Sequence, residues 1–226
     1  MLASQTVENY LKAIYVAQAS SDDPARLVPM GQLAGALGVV PGTATTMVKT
    51  LADSGLVRYE PYMGVRLTAA GEKLAAMVLR RHRLIEQFLV QVLGMNWSEV
   101  HEEAERLEHA VSERLIDLID DMLGRPAVDP HGDPIPGPEG TLNRRAYPDL
   151  MTSPVDTPLV VTRVTDQEAD FLRFIEQRNL KPGQKITIES RDPASDSVSI
   201  RSESGQRTTI GARAASKVLV TTDKGE

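Results

Sequence analysis

The sequence predicts a mainly α chain with a small β domain, opening on a winged helix-turn-helix. Three observations carry this. Apolar residues recur at helical spacing through residues 4–75 and 76–123. Two short strand-like segments bracket Tyr62-Met63-Gly64. Residues 159–222 have the alternation and turns of a β domain. The stretch from Gly124 to Pro158 (RPAVDPHGDPIPGPEG, then YPDLMTSPVDTP) is rich in Pro and Gly and reads as an ordered loop plus a linker. The division expected is therefore 1–75, a helical region 76–140, a linker 141–157 and a β domain 158–226.

Val7, Tyr10, Leu11, Ile14 and Tyr15 form the apolar face of a first helix. Leu33, Ala34 and Leu37 form that of a second, which Gly38 stops. The segment PGTATTMVKTLADSG follows, with Met47, Val48 and Leu51 inward and Gly55 at its end. LVRYEPYMGVRLT then reads as a hairpin wing, and Ala69-Ala70-Gly71-Glu72 starts the next helix. The outward positions Thr43, Thr45, Thr46, Lys49 and Thr50 are small, polar or basic. A helix entering a major groove needs such a face, because hydroxyls and methyls suit base edges. Candidate DNA contacts are Pro41, Gly42, Thr43, Thr46 and Lys49, with Arg58 and Arg66 in the wing as phosphate contacts. Thr45 and Thr50 are secondary candidates. A plain three-helix bundle with a solvated face shares the helices but not the wing.

Charge is distributed unevenly. The chain of 226 residues has a net charge of −6, yet residues 1–75 carry six basic and six acidic groups, against six and eleven in residues 76–130. The first segment is free to approach phosphates, and the acidity lies where a cation can use it. Cysteine is absent, which excludes disulfides, thiolate metal sites and a Cys nucleophile. No apolar run approaches the roughly 20 residues of a membrane span. The N-terminus lacks a signal-peptide core, so a cytoplasmic protein is expected.

The helix expected from about Trp97 to Leu123 contains HEEAERLEHAVSERL. A zinc-protease motif needs His at position 105, where Glu105 stands. Glu105, Glu108 and His109 are spaced i, i+3, i+4, with His101 one turn earlier. His82 and Glu86 are i, i+4 neighbours in RRHRLIEQFL, and His131 sits beside Asp129 in the Pro-Gly loop. A solvated acidic face is the bland alternative. The apolar neighbours Leu84, Ile85, Phe88, Leu107 and Leu115 argue against it, since carboxylates flanking a core are costly unless a cation offsets them.

With these residues in view, most of the chain resembles the diphtheria toxin repressor and manganese transport regulator family of metal-dependent repressors. The resemblance runs from TVENYLKAIY through the wing and is strongest at RRHRLIEQFL, VHEEAERLEH and DPHGDPIPG. LVVTRVTD, QEADFLRFIEQRN, LKPGQKITIESRD and VLVTT resemble the SH3-like (FeoA-like) C-terminal β-barrel of the longer members. The resemblance implies a winged-helix DNA-binding domain, a helical metal-binding and dimerisation domain, and two metal sites per subunit. The primary site would take Asn9, Glu105, Glu108 and His109, with Glu8 as the alternative to Asn9. The ancillary site would take His82, Glu86 and His101, approached by Asp129 and His131 and completed by Asp170, Glu168 or Gln167. Glu105 stands where iron-type members have Cys, which favours Mn²⁺ over Fe²⁺ for this N/O set. Lys12 stands where short manganese regulators place a further Glu, so their second metal position is not expected.

The expected function is that of a Mn²⁺-responsive repressor of metal-homeostasis and transport genes, with Fe²⁺ as the other candidate metal. It would act as a homodimer on a palindromic operator, with Ala110, Val111, Leu115, Leu118 and Ile119 as interface candidates. Two other readings compete. One is a winged-helix regulator with a non-metal effector. The other is a metallohydrolase, which no Ser-His-Asp, phosphate-loop or HExxH pattern supports. No enzymatic activity or organic substrate is expected.

Overall fold

The computed structural model describes residues 4–19, 23, 26–142 and 145–223. It divides into two compact units, the first running through His82 and including Pro136–Leu142, the second Arg83–Ile135 and the remainder.

In the first unit, α1 (Gln5–Ala19), α2 (Met30–Ala36) and α3 (Pro41–Asp53) precede the hairpin β1 (Val57–Glu60) and β2 (Gly64–Leu67). Pro41 opens α3 at the first helical position, where its missing N–H has no partner to lose. Val57 pairs with Leu67 and Glu60 with Gly64, closing the wing on Tyr62, whose φ is 66°. Val28 adds a bridge to Val65. The core holds Leu11, Ile14, Leu33, Val48 and Leu51, each worth about 1.5–3 kcal/mol of transfer free energy when fully buried.

Helix α4 (Ala69–Gln91) runs unbroken past position 75. The single helix expected over 97–123 is instead two, α5 (Val100–Leu107) and α6 (Glu113–Met122). Ser112 separates them: its Oγ accepts the Leu115 N–H at 3.3 Å, an N-cap that restarts the helix. Val100, Ala104, Ile116 and Ile119 pack on Leu84, Ile85 and Leu89 of α4. The opposite face of α6 leaves Leu115, Leu118 and Met122 exposed.

The β region contains β3 (Pro158–Val164), α7 (Ala169–Glu176), β4 (Lys185–Asp192), β5 (Ser197–Ser202), β6 (Arg207–Gly211), α8 (Ala212–Ala215) and β7 (Val218–Thr222). Its five strands form one antiparallel ladder, β6-β5-β4-β3-β7. The expected barrel is thus an SH3-like sheet whose ladder stays open between β6 and β7, with α8 carrying the chain from one edge strand to the other. Inward residues Val161, Ile188, Ile200 and Val220 alternate with solvent-facing ones, and α7 covers them with Leu172 and Ile175.

Candidate metal centre and nucleic-acid interface

In the second unit, three elements supply ligand-type side chains. Glu86 on α4 is buried, and its Oε1 lies 3.1 Å from Nδ1 of His101 on α5. The other nitrogen of His101 lies 3.9 Å from Glu105. Glu108, at the end of α5, is fully buried, 3.2 Å from Nε2 of His109. His82, the residue at which the first unit's share of α4 ends, is buried.

The third element is the loop after α6. Oδ1 of Asp129 accepts the backbone N–H groups of His131 at 2.8 Å and Asp133 at 2.9 Å. Gly132 has φ +86°, and a Cβ there would stand 1.9 Å from the Thr162 carbonyl oxygen of β3. Val164 donates its N–H to the His131 carbonyl at 2.9 Å. These contacts bury the His131 ring, which stacks on Trp97 with centroids 5.4 Å apart. Its Nε2 lies 2.8 Å from the Trp97 carbonyl oxygen. A carbonyl only accepts, so Nε2 carries the proton and Nδ1 keeps its lone pair. Nδ1 has no hydrogen-bond partner and lies 4.0 Å from both Glu86 Oε2 and Asp129 Oδ1.

These residues fit a divalent cation. An imidazole whose far nitrogen donates to a backbone carbonyl is oriented as metal-binding histidines are. Burial pushes the Asp129 carboxyl well above the usual carboxylate range; Asp133 and Glu86 add to that push, and Arg83 and the Asp133 N–H oppose it. A cation would remove this penalty. All the donors are N and O.

In the first unit, Glu8 pairs with Arg81 at 3.0 Å, both buried. On the same helix Asn9 Oδ1 is buried without a hydrogen-bond partner. Of the two α1 candidates, the one without an ion pair at its oxygen is therefore Asn9.

Asp170 stands apart from this cluster. It lies in the first turn of α7 with its side chain 97% exposed, paired to Arg173 at 2.6 Å. Gln167 and Glu168, ahead of that helix, instead line a cavity of about 360 Å³ with His101, Thr165, Asp166 and Lys217. Sequence reasoning missed Asp133, Arg83 and Arg163. Asp133 accepts from Gln167 at 2.7 Å, pairs with Arg163, and lies 3.4 Å from Arg83, tying the loop to α4 and the sheet. The available signal was the second Asp of DPHGDP.

The face expected to read DNA is open. Pro41, Gly42, Thr43, Thr46, Lys49 and Arg58 are exposed, while Arg66 is half-buried. Thr45 and Thr46 donate their hydroxyl protons to the carbonyls of Pro41 and Gly42, at 2.8 and 3.0 Å. They therefore offer their oxygens as acceptors. Tyr62 at the wing tip is fully exposed. Among the interface candidates, Ile119 fills the core and Val111 packs against it, whereas Ala110, Leu115 and Leu118 are exposed.

A winged helix-turn-helix joined to a cluster of buried nitrogen and oxygen donors defines a metal-responsive DNA-binding regulator. Family models match residues 2–65 (iron dependent repressor, N-terminal DNA binding domain), 68–137 (iron dependent repressor, metal binding and dimerisation domain) and 150–222 (FeoA domain). The chain belongs to the iron-dependent repressor family, and is a metal-dependent, DNA-binding transcriptional repressor.

It is 31% identical to the iron-dependent repressor IdeR of Mycobacterium tuberculosis over 197 residues, covering 82% of this chain and 84% of that protein. It is 33% identical to the transcriptional regulator MntR of Lysinibacillus sphaericus over 122 residues, 54% of this chain and 84% of that protein. A manganese-dependent transcriptional repressor solved in complex with manganese superposes with a TM-score of 0.86 at 36% identity, covering 96% of this chain and all of that one. The manganese regulator SloR gives 0.74 at 30% identity, over 99% of this chain and all of that one. Among the described residues no helix is long and apolar enough to cross a membrane.

Proposed function

We propose that the chain is a cytoplasmic Mn²⁺-responsive repressor that binds palindromic operators of metal-homeostasis and transport genes as a homodimer. The observation that carries the choice of metal is the donor set: carboxylates, imidazoles and an amide, with no sulfur. Such sets suit Mn²⁺. The proposed primary ligands are Asn9, Glu105, Glu108 and His109. The proposed ancillary ligands are His82, Glu86 and His101 with Asp129 and His131, and Gln167 or Glu168 replaces Asp170.

A bound cation supplies the positive charge that lets these carboxylates ionise together. Asn9 belongs to α1 of the DNA-binding domain and the other primary ligands to α5 and the turn that ends it, so ligation by both restricts the reading head. The free energy available for this is the difference in cation affinity between the DNA-competent arrangement and the looser ensemble. Leu115, Leu118 and Met122 of α6 form the dimer face in this reading.

The 31% identity to an iron-dependent repressor favours Fe²⁺ as the second reading. Titrating operator binding with Mn²⁺, anaerobic Fe²⁺ and Zn²⁺ separates the two. Activation at the lowest free concentration by Mn²⁺ is expected. Activation by Fe²⁺ alone selects the iron reading, and activation by none contradicts both.

A further inference from the structure

The turn that closes the wing holds a residue ill-suited to its conformation. Met63 donates its N–H to the Glu60 carbonyl at 3.1 Å, and Tyr62, third in that turn, has φ 66°. Pro61 second and a positive φ third are the pattern of a type II turn, where glycine or asparagine is the favoured third residue. A bulky side chain at positive φ is an outlier that the turn itself does not require. Packing does not explain it either, because Tyr62 is fully exposed and Met63 is 65% exposed. Strain of this kind collects at positions that serve binding.

The arms of the wing carry a second cost. Arg58 and Arg66 are direct partners in the ladder, and like charges opposite one another destabilise a hairpin. Among the described residues neither forms an ion pair, and Nε of Arg66 is buried without a hydrogen-bond partner. Duplex DNA answers both costs, with phosphates for the guanidiniums and a minor groove that accepts apolar wedges. The wing is placed to meet it. Val57 and Leu67 at its base are buried in the core that also holds Val48 and Leu51 of α3. Strands of four residues, at about 3.3 Å per residue, carry the tip roughly 13 Å from that base. That length exceeds half the width of a major groove of about 12 Å, so the tip reaches past one bordering phosphate strand.

We infer that Tyr62 and Met63 form an apolar wedge that enters the minor groove beside the major groove read by α3. Arg58 and Arg66 then lie along the phosphates between the two grooves. The wedge adds affinity and favours A·T pairs beneath it, because guanine places an amino group in the minor groove. The inference rests on the reading of α3 as the major-groove helix.

In the test, the full wild-type chain with MnCl₂ selects duplexes from a random-sequence DNA library, and the enriched duplex becomes the probe for fluorescence anisotropy. Tyr62→Gly should bind that probe about tenfold more weakly than the wild type. Its midpoint in urea unfolding should stay the same or rise, because glycine suits the turn. Tyr62→Phe should bind as the wild type does, since the ring and not the hydroxyl forms the wedge. A second probe carries diaminopurine in place of every adenine, which adds an amino group in the minor groove and leaves the major-groove edge intact. It should weaken the wild type more than it weakens Tyr62→Gly. Affinity of Tyr62→Gly within about twofold of the wild type overturns the inference. An equal loss in both proteins on the diaminopurine probe also overturns it, and puts the ring on the sugar-phosphate backbone. Enrichment of no sequence by the wild type overturns the reading of α3 together with the inference.

Discussion

Nε2 of His131 lies 2.8 Å from the carbonyl oxygen of Trp97, across 34 positions of sequence. This one bond sets the tautomer of a buried imidazole and leaves its other nitrogen available as a donor. What holds it is the backbone of the Asp129–Asp133 turn, docked on β3 through Gly132 and Val164. Gly132→Ala must push that turn away from Thr162. The expected result is a stability loss of about 1–3 kcal/mol in urea unfolding and weaker Mn²⁺ binding in the same variant. Wild-type metal affinity in Gly132→Ala would show that the turn does not organise the site.

The buried pair Glu8–Arg81 yields a prediction of opposite character. Removing one partner leaves an uncompensated charge, so Glu8→Gln should cost about 3–5 kcal/mol of stability. Replacing both, as Glu8→Leu with Arg81→Met, should restore most of it. If Glu8 rather than Asn9 were the metal ligand, the single variant would lose metal affinity and the double variant would not regain it.

The exposed stripe of α6 should carry dimerisation. Leu118 is 55% exposed in the single chain, so Leu118→Glu should not unfold it. Placing a carboxylate at a symmetric apolar interface should weaken the dimer about 100-fold or more, read by sedimentation equilibrium. A dimer of unchanged strength would exclude α6 from the interface.

Lys49 is exposed on α3, and we propose that it contacts a phosphate. Lys49→Ala should lower the slope of log affinity against log salt by about one per monomer. An unchanged slope removes it from the contact set.

Much of this was legible in the sequence, for identifiable reasons. The helix-turn-helix and wing are written in local signals: Pro41 at a helix start, Gly38 and Gly55 at helix ends, and alternation around Tyr62. His101 and Glu105 were legible as neighbours because four residues make one helical turn. The break at Ser112 was not, because a lone serine between two apolar-periodic segments is a weak cap signal until its Oγ is seen accepting from Leu115. The choice among Gln167, Glu168 and Asp170 depended on where α7 begins, a boundary that periodicity fixes only to within a turn. The role of Asp133 rests on Gln167 and Arg163, some thirty positions away, and no local pattern encodes such contacts.

The central claim is that the His/Glu cluster controls the DNA-reading face through a bound cation. It is tested most directly by the fluorescence anisotropy of labelled operator DNA titrated with His109→Ala protein, with and without Mn²⁺. The account predicts that the variant remains a folded dimer but loses Mn²⁺-dependent operator binding, while the wild type retains it. Equal Mn²⁺ dependence in the two proteins would contradict the account.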